Sequence, residues 1–135
     1  MEIKVNEQTQ RFYLAFDEWV QWVPAVGHGI KVGQYHFCAI PLSDSINVSE
    51  VTSGVKAISV PINLKVWMLT STKEDTMRFL EKVGEHLKII MEERGDFDEL
   101  LKKQKKIAFE RLGAMPPIEN IDTDWIFEEE SEVVH

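Results

Sequence analysis

At 135 residues, 44% of them hydrophobic, the chain fits one domain that buries roughly two-thirds of its unfolded surface in a single core. A net charge of −8 argues against direct nucleic-acid binding, whose affinity comes mainly from cationic contacts to phosphate, and against anionic membrane surfaces. The single cysteine, Cys38, excludes an internal disulfide, and no basic-then-apolar secretory signal opens the sequence, so a cytoplasmic location is expected.

Met1 to Val5 suits a short strand. Phe12, Phe16, Trp19, Val20 and Val23 then recur at three and four residues, with Asn6 and Thr9 as N-caps and Pro24 and Gly27 as terminators, which predicts a helix from about Gln8 to Val23. Tyr13 and Trp22 fall off its main stripe and give it a second apolar side. Pro24 to Gly29 reads as a turn. Beyond it the period changes to two: Tyr35, Phe37 and Ala39 share one face of a strand, and His36, Cys38 and Ile40 share the other, with a bend at Gly33.

Ser43 to Gly54 reads as a long polar connection. Ile58, Val60, Ile62, Leu64, Val66 and Met68 then alternate without a miss and predict a long strand, at a sheet edge near Pro61 because proline has no N–H for a ladder bond. No apolar run approaches the roughly 18 residues a bilayer requires, since Lys65 interrupts the best stretch. Ser71 with Glu74 and Thr72 with Asp75 both resemble a capping box. A helical stripe of Met77, Leu80, Val83, Leu87, Ile90 and Met91 follows, ending at Gly95. A last helix starts at Asp96, carries Phe97, Leu100, Leu101, Ile107, Ala108 and Leu112, and stops at Gly113 and Pro116-Pro117.

These elements predict an α+β fold: an N-terminal helix, a small antiparallel β-sheet of two to four strands, and two C-terminal helices packed on one face. Residues 1–117 form the single domain, and 118–135 form an acidic, aromatic-bearing tail outside it.

Candidate chemistry is sparse. His36 and Cys38 share a strand face, but two residues apart on a strand is poor geometry for a nucleophile and its base. The other histidines, His28, His86 and His135, show no ligand spacing with this pair, so no metal site is expected. The segment Gly27 to Gly33 has G-x-G-x-x-x-G spacing between a predicted helix and a strand, the reverse of a dinucleotide loop's context. Asp17-Glu18 and Glu92-Glu93 fall on predicted helix surfaces, where neighbouring side chains diverge. No catalytic or cofactor motif is present.

Charge is the feature that points to a partner. From Ile118 to His135 there are seven acids and no Lys or Arg, whereas residues 1–117 hold all fifteen Lys and Arg against sixteen acids. Just before the tail stand Lys102, Lys103, Lys105, Lys106 and Arg111, a cluster onto which the tail is able to fold back. Exposed ion pairs contribute only about 0–1 kcal/mol each, so apolar anchors must fix such a tail. It carries them. Asp122, Asp124, Trp125, Ile126, Phe127, Glu128, Glu129 and Glu130 combine aromatic anchors with steering charge and are the expected partner-binding residues.

The sequence therefore predicts a non-enzymatic interaction module of the adaptor, assembly-chaperone or inhibitor kind, acting on a protein with a basic surface and needing no cofactor. One alternative is a small-molecule site or enzyme pocket near His28, Tyr35 and His36. Another is a structural subunit of a homo-oligomer, joined through the Pro61 edge or the second apolar side of the first helix.

Overall fold

Residues 1–16 and 20–121 are described by the structure, a computed structural model. Among these residues six strands come before the first helix: β1 (Ile3–Val5), β2 (Gln10–Leu14), β3 (Val23–Val32), β4 (Tyr35–Pro41), β5 (Ser45–Glu50) and β6 (Lys56–Pro61). Three helices follow, α1 (Leu64–Leu69), α2 (Lys73–Glu93) and α3 (Phe97–Leu112), and β7 (Glu119–Asn120) then returns to the sheet. The seven strands pair antiparallel in the order β6-β5-β4-β3-β2-β7, with β1 beside the C-terminal half of β3.

Alternation places one core on each side of the sheet. Ile30, Val32, Phe37, Ala39, Ile46 and Val48 face α2, which supplies Met77, Leu80, Val83, Leu87 and Met91. Phe12, Leu14, Cys38, Ile40 and Val51 form the second core, with Phe16, Ala25 and Ile118 packed against it. Glu50 is only 3% exposed at the β5–β6 turn, yet its carboxylate accepts from the Thr52 N–H at 2.8 Å, the Ser53 N–H at 2.9 Å and the Thr52 hydroxyl. Those bonds replace the water it loses on burial.

The predicted N-terminal helix is not formed. Phe12 and Leu14, two residues apart, are both buried on one face of β2, and Gln10 to Leu14 pair with Gly27 back to Val23 of β3. The same residues satisfy a period of two and of four, and pairing across the sheet decides between them. Asp17, Glu18 and Trp19 lie outside the described residues. The expected turn at Pro24–Gly29 is strand as well. Its glycines serve close approach: a Cβ on Gly27 would stand 2.0 Å from the Ala39 carbonyl oxygen, and one on Gly29 would stand 2.7 Å from His36 Nε2. Gly33, with φ +60, reverses the chain between β3 and β4, making a hairpin where one bent strand was expected.

Three further differences bear on function. Ser45–Glu50, read as loop, is β5 in the middle of the sheet. The long strand ends at Pro61, on edge strand β6 as the proline required, and its second half is α1. The two large helices do not share one face. Phe97 at the start of α3 packs on Tyr35 and Phe37 of the α2 face, whereas Gln104, Ile107 and Ala108 line a cavity with Ser45, Asn47 and Ser59, in the opposite strand register. The sheet is thus the larger element, and α3 passes from one side of it to the other.

Candidate functional site

The clearest concentration of unburied apolar surface is on α1. Asn63 sets its start: the side-chain oxygen accepts from the Val66 N–H at 2.9 Å and the backbone carbonyl accepts from the Trp67 N–H at 2.9 Å. Thr70 closes it, its hydroxyl donating to the Val66 carbonyl at 2.9 Å. The Thr76 hydroxyl then donates to the Thr70 carbonyl at 3.2 Å, tying α1 to the first turn of α2. Entry is fixed by the Ile62 N–H, which donates to the Asp44 carbonyl at 2.9 Å.

Within this frame Val66 is the one buried residue of the helix. Leu64, Trp67 and Met68 turn outward at 73%, 69% and 68% exposure. Against Val66 and Trp67 lies a cavity of about 540 Å³ whose walls also include Ala39, Ile46 and Leu80. His28 is a polar group on that wall. Its Nδ1 stands 3.0 Å from the Asn6 carbonyl oxygen. A carbonyl only accepts, so the Nδ1 is the donor in this contact.

Residues singled out in the sequence are distributed differently. Tyr35 faces the α2 side and its hydroxyl donates to Asp98, a bond that raises its pKa above the usual tyrosine value. His36 lies on the other side, edge-to-face with Phe12 at 6.1 Å. Burial, reinforced by the Lys31 charge, lowers its pKa below the usual histidine value, while Glu50 opposes that shift. Cys38 is 1% exposed, and burial pushes its thiol up to about 12. A thiol so placed is poorly suited to nucleophilic work. His28, Tyr35 and His36 therefore do not line one pocket: His28 and Tyr35 share a face at different heights, and His36 is across the sheet.

Asp122, Asp124, Trp125, Ile126, Phe127, Glu128, Glu129 and Glu130 lie outside the described residues. The chain leading to them is placed. Ile118 packs on the second core, Glu119 pairs with Arg11 at 3.5 Å, and the Ile121 N–H donates to the Thr9 carbonyl at 2.8 Å. The Gln8 amide donates to the Ile121 carbonyl at 3.1 Å, and the Gln8 N–H donates to the Asn6 side chain at 2.9 Å. Asn6 is also the residue whose carbonyl meets His28, so Ile121 is linked through Gln8 and Asn6 to a wall of the α1 cavity.

The α1 surface was hidden by an ambiguity of spacing. Leu64, Val66 and Met68 fit a strand, and Leu64, Trp67 and Met68 fit a helix at i, i+3 and i+4. Asn63 immediately before the run was the signal that separates the two.

Among the described residues no helix is long and apolar enough to cross a membrane, and no group of three or more His, Cys, Asp or Glu is placed to hold a metal ion. The chain matches no protein-family model, no curated protein and no solved structure.

Proposed function

We propose that this protein is a non-enzymatic interaction module that engages a protein partner bearing a basic surface. The observation that carries the reading is the outward display of Leu64, Trp67 and Met68 beside the 540 Å³ cavity. Contiguous apolar surface of this kind is characteristic of docking sites, and Trp is among the residues that contribute most when buried at an interface. The acids Asp122 to Glu130 supply the second part of the mechanism. Seven of the eight net negative charges fall in residues 118–135, a distribution suited to steering a basic partner toward a neighbouring apolar anchor.

The two parts separate experimentally. With a captured partner in hand, Trp67→Ser with Met68→Ser in the full chain is expected to raise the dissociation rate at every salt concentration. Glu128→Gln, Glu129→Gln and Glu130→Gln together are expected to lower the association rate and flatten its salt dependence. Unchanged affinity in the Trp67/Met68 variant would sink the reading.

A second reading is favoured by His28. The cavity volume lies within the range of small-molecule sites, and an imidazole on a largely apolar lining suits a compact apolar ligand with one polar group. Indole is a fitting probe. Saturable shifts of His28, Val66 and Leu80 resonances on titration would support this reading, and their absence at millimolar indole would dismiss it.

A further inference from the structure

A second cleft has the opposite electrostatic character. Lys102, Lys103, Lys105 and Lys106 stand within five residues of α3, and the ion pairs among the described residues use none of them. Lys102, Lys105 and Lys106 line a cavity of about 360 Å³ together with Trp22, Phe109 and Met115. Trp22 is held in place, its indole N–H donating to the Gly113 carbonyl at 3.2 Å, and Phe109 is 61% exposed. An occupant that satisfies both parts of this lining carries several negative charges and aromatic or aliphatic groups. Nucleic acid, which shares that chemistry, is disfavoured by the net charge of −8.

We infer that the α3 lysine cleft is the docking site for the chain's own residues 122–135. That segment offers Asp122, Asp124, Glu128, Glu129, Glu130 and Glu132 for the lysines, and Trp125, Ile126 and Phe127 for the apolar lining. Its reach is adequate. The described chain ends against Thr9, and the cleft adjoins the far end of β2, where Leu14 pairs with Val23 next to Trp22. β7 runs antiparallel to β2, so the chain passes Ile121 heading away from Leu14 and has to turn back. Thr9 to Leu14 spans about 17 Å of strand, and Glu130, nine residues beyond Ile121, has about 30 Å of extended chain, enough for a turn and the return. The acids thus meet the lysines without leaving the molecule, at the high effective concentration that tethering confers. If these acids also steer the proposed partner, a basic surface must compete them away from α3 first. That consequence rests on the proposed function, whereas the docking itself does not.

The test uses the full chain. Ser131→Cys provides a labelling site, because Cys38 is buried with its thiol pushed up to about 12. A nitroxide at residue 131 is expected to broaden the amide resonances of Lys102 to Phe109 at about 0.01 M salt, and to leave Val83 to Leu87 of α2 sharp. At about 1 M salt, where the Debye length is about 3 Å, the broadening is expected to fall several-fold. It should vanish in the Lys102→Glu, Lys105→Glu, Lys106→Glu variant and return when Glu128→Lys, Glu129→Lys and Glu130→Lys are added. These lysines are exposed, and the salt comparison on the unsubstituted cleft requires no variant of it. Uniform or absent broadening at low salt overturns the assignment. So does broadening indifferent to charge reversal, or broadening that fades on dilution and so belongs to a second copy. A failed partner experiment with Trp67 and Met68 leaves each of these outcomes unaffected.

Discussion

The neighbouring helices α1 and α2 begin by the same rule and are used in opposite ways. Asn63 caps α1 through the Val66 N–H and Thr72 caps α2 through the Asp75 N–H at 3.0 Å, so in each case a short polar side chain satisfies a donor that the helix leaves unpaired. From there α2 buries Met77, Leu80, Val83, Gly84, Leu87 and Met91 against the sheet, whereas α1 buries Val66 alone. A helix of six residues is too short to be stable by propensity, so α1 persists through its caps and its junction to α2. Caps thus place a helix, and burial determines whether its side chains are spent on the core or left for a partner.

The strongest way to break this comparison is at Leu87, which is 2% exposed and in the core shared by α2 and the sheet. Leu87→Ala is expected to cost about 2–5 kcal/mol in urea unfolding, the range for a cavity left by a buried leucine. Ile107→Ala on α3, where the residue is 43% exposed, should cost well under half as much. Equal losses at the two sites would mean that α3 is as integral to the core as α2.

Asn63→Ala isolates the cap. Losing the bond to the Val66 N–H is expected to cost about 1 kcal/mol and to speed hydrogen exchange at Val66 and Trp67 while leaving the middle of α2 protected. Loss of protection throughout α2 would show that the two helices form one cooperative unit. Smaller still is the effect expected for Trp67→Ser with Met68→Ser. Both side chains are mostly exposed, so the urea midpoint should move by no more than about 0.5 kcal/mol equivalent in either direction. A large loss would assign these residues to the fold and remove the basis for a docking role.

How much of this was legible in the sequence depends on whether a pattern had one reading or two. The stripe from Met77 to Met91 has helical spacing and no competing period, and it is buried as read. The two faces of β4 were also legible, because Tyr35 to Ile40 alternate with no helical alternative. Phe12 to Val23 and Leu64 to Met68 each satisfy two periods, and the wrong one was favoured in both, whereas Ile58 to Pro61 is strand as read. β5 failed for another reason. Its Asn47, Ser49 and Glu50 read as loop residues, yet they are buried because the Ser49 hydroxyl donates to Asn47 and Glu50 collects the turn donors. The α1 site was illegible as a consequence of the second ambiguity, since a strand would have split Leu64, Trp67 and Met68 between two faces.

The smallest expected effect is a pH dependence, and it probes the side of the sheet that α1 and α2 do not touch. His36 is half-buried beside Phe12, with its pKa lowered first by burial and then by Lys31, against an opposing contribution from Glu50. Its neutral form is therefore favoured in the folded protein. Below about 6.5, the ordinary histidine value, the unfolded chain binds a proton that the folded chain resists, so stability falls as pH falls from there toward the lower folded pKa. Denaturant midpoints measured from about pH 7.5 down to that window should decline in the unsubstituted protein and less steeply in His36→Gln, whose side chain does not titrate. The difference between the two curves removes the contribution of the carboxylates. If protection of Val66 and Trp67 stays constant while the global midpoint drops, α1 is held by its caps and its junction to α2, as the comparison requires. If α1 loosens in step with His36 protonation, its display of Trp67 and Met68 depends on the far face of the sheet, and the two regions are coupled.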